Sequence, residues 1–287
     1  MIEGTVNGKA FKVPESFEEF SNRHWKLFMR VMTDYRAATW HDVRLKFIMK
    51  LIKFPVRKLV KLSLSKDFWD QEEYEEHMSQ ITVFSERLKY FDDPKISTTR
   101  NVFPVVRRGI FRRNLYGPAD NLANLETWEY AIAEIKAISY SETNNKQFLD
   151  ELFAVLYRHR KPFWLLRKYF GASPSDPRQQ FHDENIASYL KKSRRVGKYV
   201  KLYTYFFFQS VRSTFPDQFK DLYKVRKSTG EARETNWSDT IVAFTGTTPG
   251  DEEKTGRTNI LWMLKRMNHL AHEADEMEAK NKENKHV

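Results

Sequence analysis

The sequence predicts a mainly α protein, a multi-helix domain with a small N-terminal β-hairpin. Apolar residues recur at three- and four-residue spacing through most of the long segments, as amphipathic helices require. Helix-start signals stand in front of several of these runs. Only the N-terminus carries a strong hairpin signal, and no repeat of fixed period runs through the 287 residues.

The hairpin is expected from "TVNGKAFKV", where Asn7 and Gly8 form the turn pair between two short β-prone runs. Pro14 should end it, and Ser16 with Glu19 then spells a capping box for a first helix. Phe17, Phe20, Trp25, Phe28, Val31 and Met32 supply that helix's apolar face. A second helix should run from near Thr39 to about Phe54, where Pro55 stops it. "KDFWDQEEYEEHMSQITVFSERLKYF" repeats the helical pattern, with an acidic first half.

Prolines 94, 104 and 118 with Gly109 and Gly117 then mark a connector, with a short strand expected over 105–111. Beyond it, Trp128, Ala131, Ile132, Ile135 and Ile138 align as the apolar face of one helix. Leu149, Leu152, Phe153 and Leu156 do the same for the next. "SDPRQQF" predicts a helix start, with Asp176 as N-cap and Pro177 at the first helical position. A long aromatic run follows, with Tyr189, Leu190, Tyr199, Leu202, Phe206, Phe207 and Val211, ending at Phe215-Pro216. A short helix near 237–244 and a last helix from near Thr258 complete the chain. The expected organisation is a β-ribbon over 1–15, a helical region over 16–93, the connector over 94–119, a basic helical core over 120–227, a loop and C-terminal helix over 228–275, and a polar tail over 276–287.

Charge is the most uneven property. The chain carries a formal +11, and residues 151–227 alone hold 17 Lys and Arg against 6 Asp and Glu. The last 60 residues hold 8 against 11, so the basic excess belongs to one segment. Such a block favours an acidic or polyanionic partner, or forms the solvated face of helices. Within it, Lys191, Lys192, Arg194, Arg195, Lys198 and Lys201 are the candidate partner- or polyanion-binding residues. The stretch 151–171 also mixes rings with cations, as a single-strand groove would. The regular stripe ending at Leu156 makes a helix end and a turn the better reading there, with Arg158, Arg160 and Lys161 near the terminal carbonyls.

No reaction is selected. With no cysteine, disulfides, thiolate metal sites and Cys nucleophiles are excluded. His269 and His272 share a helix face beside Glu273, but the HExxH pattern is incomplete. "TGTTPGDEEKTG" lacks the phosphate-loop register and is expected to be a mobile loop. His159 has only cationic neighbours in sequence. His182, Asp183 and Glu184 are consecutive, and consecutive helical residues diverge from one ion. Neither metal nor cofactor is expected, and enzymatic activity is not. The N-terminus lacks a signal-peptide pattern, and the greasiest run, 43–65, is interrupted by cations and Pro55, so no membrane span is expected.

The order of the phrases "LANLETWEYAIAE", "FLDELFAVLYR", "DPRQQFHDENI", "KLYTYFFFQSVRSTFPDQF" and "NWSDTIVAF" resembles tail-assembly proteins of tailed phages and prophages of gut-type bacteria, encoded near the tape measure. The resemblance covers about residues 120–275, with "AVLYR" and the Asp-x-Arg pair as its most specific part, while residues 1–119 match loosely. It implies a chaperone-like morphogenesis factor without catalytic residues. Its partner would be the tape measure or another tail protein, or a second copy, in the host cytoplasm or in the virion. Nucleic-acid binding through residues 151–227 is the alternative.

Overall fold

The structure is a computed structural model that describes residues 2–6, 9–34, 39–53, 61, 63–65, 67–92, 98–107, 114–164, 176–224, 237–245 and 251–285. It is mainly α, as expected, with two small antiparallel sheets. Two compact units emerge from its contacts. One comprises Met1–Thr98 and Lys198–Tyr203, the other Thr99–Gly197 and Thr204–Val287. None of the described helices is long and apolar enough to cross a membrane.

In the first unit, β1 (Ile2–Val6) pairs antiparallel with β2 (Lys9–Val13), Val6 opposite Lys9. The Asn7-Gly8 turn lies outside the described residues. The Ser16–Glu19 capping box does not form. Residues Phe17–Glu19 make a 3-10 turn, Ser16 offers no side-chain cap, and Glu19 instead accepts from the Glu15 amide at 2.9 Å. The first α-helix, α1 (Asn22–Asp34), starts later, with the Ser21 hydroxyl accepting from the His24 amide at 3.3 Å. A three-residue 3-10 turn between Pro14 and the helix thus displaces the cap, because it lets Phe17 and Phe20 both reach the core. Phe17, Phe20, Trp25, Phe28, Phe47 and Phe91 form a ring cluster with centroids 5.0 to 6.1 Å apart, several in the favoured edge-on geometry. Met32, expected on this face, is exposed.

Helix α2 (Trp40–Leu51) has the full capping box from Thr39 and Asp42. It ends at Leu51, with Lys53 in the left-handed region at φ 53°; Pro55 lies outside the described residues. Helix α3 (Phe68–Glu86), capped by Asp67, packs on α2 and buries His77, Ile81 and Ser85.

The second unit opens with β3 (Val105–Val106) against β4 (Leu115–Tyr116), so the expected strand is two residues long within the described part. Helices α4 (Thr127–Thr143) and α5 (Lys146–Leu156) form a tight antiparallel pair, joined through Asn144 at φ 50°, with Asn145 capping α5. On α5 the expected stripe of Leu149, Leu152, Phe153 and Leu156 is buried. On α4 the expectation holds for Ala131, which is buried, but not for the large residues of the stripe. The helix also buries Glu129, Tyr130, Ala133 and Ala137, leaves Trp128 and Ile132 half-buried, and exposes Ile135 (55%) and Ile138 (36%).

Residues 176–182 form no helix. Arg178 bridges to Arg160 in strand fashion, and the Asp176 carboxylate turns back onto the Arg178 amide at 2.9 Å. Helix α6 (Ile186–Ser193) follows and packs on α5, and a turn at 194–197 splits the aromatic run before α7 (Lys198–Ser213). Tyr189, Tyr203, Phe207 and Val211 are buried, whereas Leu190, Tyr199, Leu202 and Phe206 are half-buried. Short helices α8 (Phe215–Gln218), α9 (Lys220–Tyr223), α10 (Trp237–Ala243) and α11 (Asp251–Gly256) lead to α12 (Ile260–Lys285). The segment expected as a loop at 251–256 is therefore a helical turn, and helix α12 continues through the polar residues to Lys285.

Candidate functional site

The second unit is organised around one buried carboxylate. Glu129 sits in the first turn of α4, fully buried and facing α5. Arg158, two residues beyond the end of α5, donates Nη1 to Glu129 Oε1 at 2.8 Å. Arg178 donates to both Glu129 oxygens, at 2.5 and 3.2 Å. Its Nε and Nη2 clasp Asp176 at 2.8 to 3.0 Å, and its remaining N–H groups reach the carbonyls of Leu156 and Asn124 at 3.0 and 2.9 Å. Burial disfavours the Arg178 charge, but Glu129 and Asp176 outweigh it and raise the pKa. Two guanidiniums thus meet two carboxylates, the condition under which charges survive out of water.

This cluster explains why "DPR" is not a helix start. Arg178 is spent tying Asp176, Glu129 and the end of α5 together, which requires an extended backbone. Arg158 and Arg178 both satisfy terminal carbonyls of α5, at Val155 and Leu156, so the expected role of cations at that helix end holds for Arg158. Arg158 also lies over the Phe181 ring at 5.4 Å. Every N–H of Arg178 has a partner, and the cluster is a structural clamp.

The outward side of α4 is different. Trp128 and Ile132 line a cavity of about 430 Å³ together with Phe181, and carboxylates of Glu126, Asp183, Glu184, Glu252 and Glu253 surround them. Among the described residues Arg257 is the wall's lone Arg or Lys side chain, and it is held by Glu253 at 2.7 Å and faces Glu126 at 3.7 Å. Burial, aided by nearby Glu129, raises the Glu126 pKa above the ordinary carboxylate range. Gly256 lets the Trp128 indole lie flat on the backbone, since a Cβ there would fall 1.5 Å from the indole nitrogen. From the cavity the stripe continues along α4 through Ile135 and Ile138 into solvent. His182, Asp183 and Glu184, set aside in the sequence as divergent, line this one cavity because a 3-10 turn, Asp183–Asn185, carries them. Glu252 and Glu253 had no sequence signal beyond their charge.

The six candidate basic residues divide between the units. In the second unit Lys191, Arg194 and Arg195 are exposed, and Lys192 lies half-buried with its ammonium 5.5 Å from the Tyr189 ring centre. In the first unit Lys198 is bound to Asp34 at 2.6 Å, and the pair draws the Lys198 pKa up and the Asp34 pKa down. Lys201 is 5% exposed. Burial withdraws Lys201 from any surface, so it is no contact for a polyanion. A helical period explains it, since Lys201 sits between Val200 and Tyr203 on the packed side of α7.

Three of the histidines pair with ordinary neighbours. His269 faces Glu273 at 3.3 Å, His272 faces Glu276 at 3.3 Å, and His159 Nδ1 meets the Asn114 carbonyl at 3.1 Å. Among the described residues no group of three or more His, Asp or Glu is placed to hold a metal ion. Compared with protein-family models, curated proteins and solved structures, the chain matches none of them.

Proposed function

We propose that this is a non-enzymatic assembly protein of tailed phages or prophages, working through protein contacts with a tape-measure or other tail protein, in the host cytoplasm or within the virion. The outward stripe of α4 carries the reading. Large apolar side chains on a well-anchored helix cost solvation unless a partner covers them, and such patches mark contact surfaces. The resemblance adds support, because its phrases "ETWEY", "AVLYR" and "DPR" supply Glu129, Arg158, Asp176 and Arg178 to one clamp. That clamp positions the helix whose other face is open.

Deleting the gene from a phage that encodes the protein should give capsids without normal tails, scored by electron microscopy, and an Ile135→Asp copy should fail to restore them. Normal tails after deletion would overturn the reading. Nucleic-acid binding is the second reading, favoured by the exposed Lys191, Arg194 and Arg195 on one turn. It requires binding to single-stranded DNA or RNA that weakens steeply with salt and vanishes when Lys191, Lys192, Arg194 and Arg195 are all changed to Ala.

A further inference from the structure

We propose that the outward face of α4 docks a cationic amphipathic helix of the partner, its apolar side on Trp128, Ile132 and Ile135 and its Lys or Arg side chains against the acidic wall of the neighbouring cavity. The inference rests on the protein-contact reading above and specifies the partner's chemistry.

The stripe runs from Trp128 to Ile138, eleven residues of helix and about 15 Å long at the α-helical rise, which matches three turns of a partner helix. At one end it enters a cavity of about 430 Å³. That cavity is lined by Trp128, Ile132 and Phe181 together with five carboxylates. Among these, Asp183, Glu184 and Glu252 have no cation bonded to them among the described residues, since Arg257 is committed to Glu253 and Glu126. A partner's ammonium or guanidinium would meet carboxylates on one side and the Trp128 and Phe181 rings on the other, both favourable to a cation. An anionic or neutral helix would strand that wall's charge at a covered interface, which is penalised. The wall is also a local exception on a chain of formal charge +11, so it selects by close contact rather than by long-range attraction.

The test uses the full chain and two labelled synthetic helical peptides with the same Leu and Ile face, one flanked by Lys and Arg, the other by Glu. Fluorescence anisotropy should show the cationic peptide binding at least about tenfold tighter, with the preference shrinking as salt is added. Glu184→Gln with Glu252→Gln should erase the preference, and Ile135→Asp should abolish binding of both while its melting curve stays that of the parent. Equal binding of the two peptides would overturn the cationic partner and leave the docking face standing. Failure of both to bind a monomeric protein would remove the docking face, and with it the observation carrying the proposed function. Dimerisation of the protein alone that Ile135→Asp abolishes would make the occupant a second copy and overturn the proposal.

Discussion

The two faces of α4 invert the usual rule. The inward face carries a carboxylate, a tyrosine and alanines, and the outward face carries a tryptophan and three isoleucines. The small inward residues let α4 and α5 approach closely, and the carboxylate is tolerated because two arginines enclose it. The α5 helix follows the ordinary pattern, with Leu149, Leu152, Phe153 and Leu156 inside. Two adjacent helices with equally regular stripes thus have opposite orientations. Stripe regularity reports that a face is to be covered, and the covering can come from inside or outside the chain.

The comparison breaks first at the clamp. Glu129→Ala leaves two buried guanidiniums without their shared carboxylate and should cost about 3–5 kcal/mol, read by urea unfolding. A loss below about 1 kcal/mol would mean that α4 is oriented by something else. Next is Gly256→Ala, whose methyl collides with the Trp128 indole; displacing the ring should cost about 1–3 kcal/mol and be visible as a lower Tm.

A smaller effect is expected at Glu126. Its folded-state pKa is raised, so in the window just above the unfolded carboxylate value the folded protein holds the extra proton. Its contribution to stability is full at low pH and is lost as pH rises through the folded pKa. Glu126→Gln should therefore flatten the fall in stability as pH rises through that window, by less than about 1 kcal/mol given partial solvent screening. An unchanged Tm-against-pH curve would contradict it. Smallest of all is Ile135→Asp, within about 0.5 kcal/mol of the parent in the same unfolding experiment, because more than half of Ile135 is already exposed. A large loss there would show that the outward face is packed.

Much of the fold was legible in the sequence. The helix start near Thr39 and the buried stripe of Leu149, Leu152, Phe153 and Leu156 fall where expected, because those signals act within a few turns. Two of the failures are cases where a distant partner wins. Ser16 and Glu19 spell a capping box, but the ring cluster holds a 3-10 turn there instead. Asp176-Pro177-Arg178 spells a helix start, but Arg178 is drawn to a carboxylate 49 residues away. Lys201 looked like one more surface cation until α7 turned it inward. The acidic cavity was out of reach, because its wall comes from three separated segments, around residues 126, 183 and 252. A net charge of +11 pointed attention to the opposite sign.

The start of α4 is secured by a segment 131 residues further along the chain. The Thr127 amide and hydroxyl both donate to the Thr258 carbonyl at 2.8 Å, and the Ile260 amide donates to Leu125 at 3.0 Å. On the ribosome, α4 and α5 can emerge and pair early, yet this latch must wait for about 130 further residues to be synthesised. During that interval the first turn of α4 has incompletely tied backbone amides, and a nascent chain released before Thr258 would carry the exposed Ile135 and Ile138 on a helix whose origin is loose. Synthesis past Thr258 is thereby the event that ties down the start of α4.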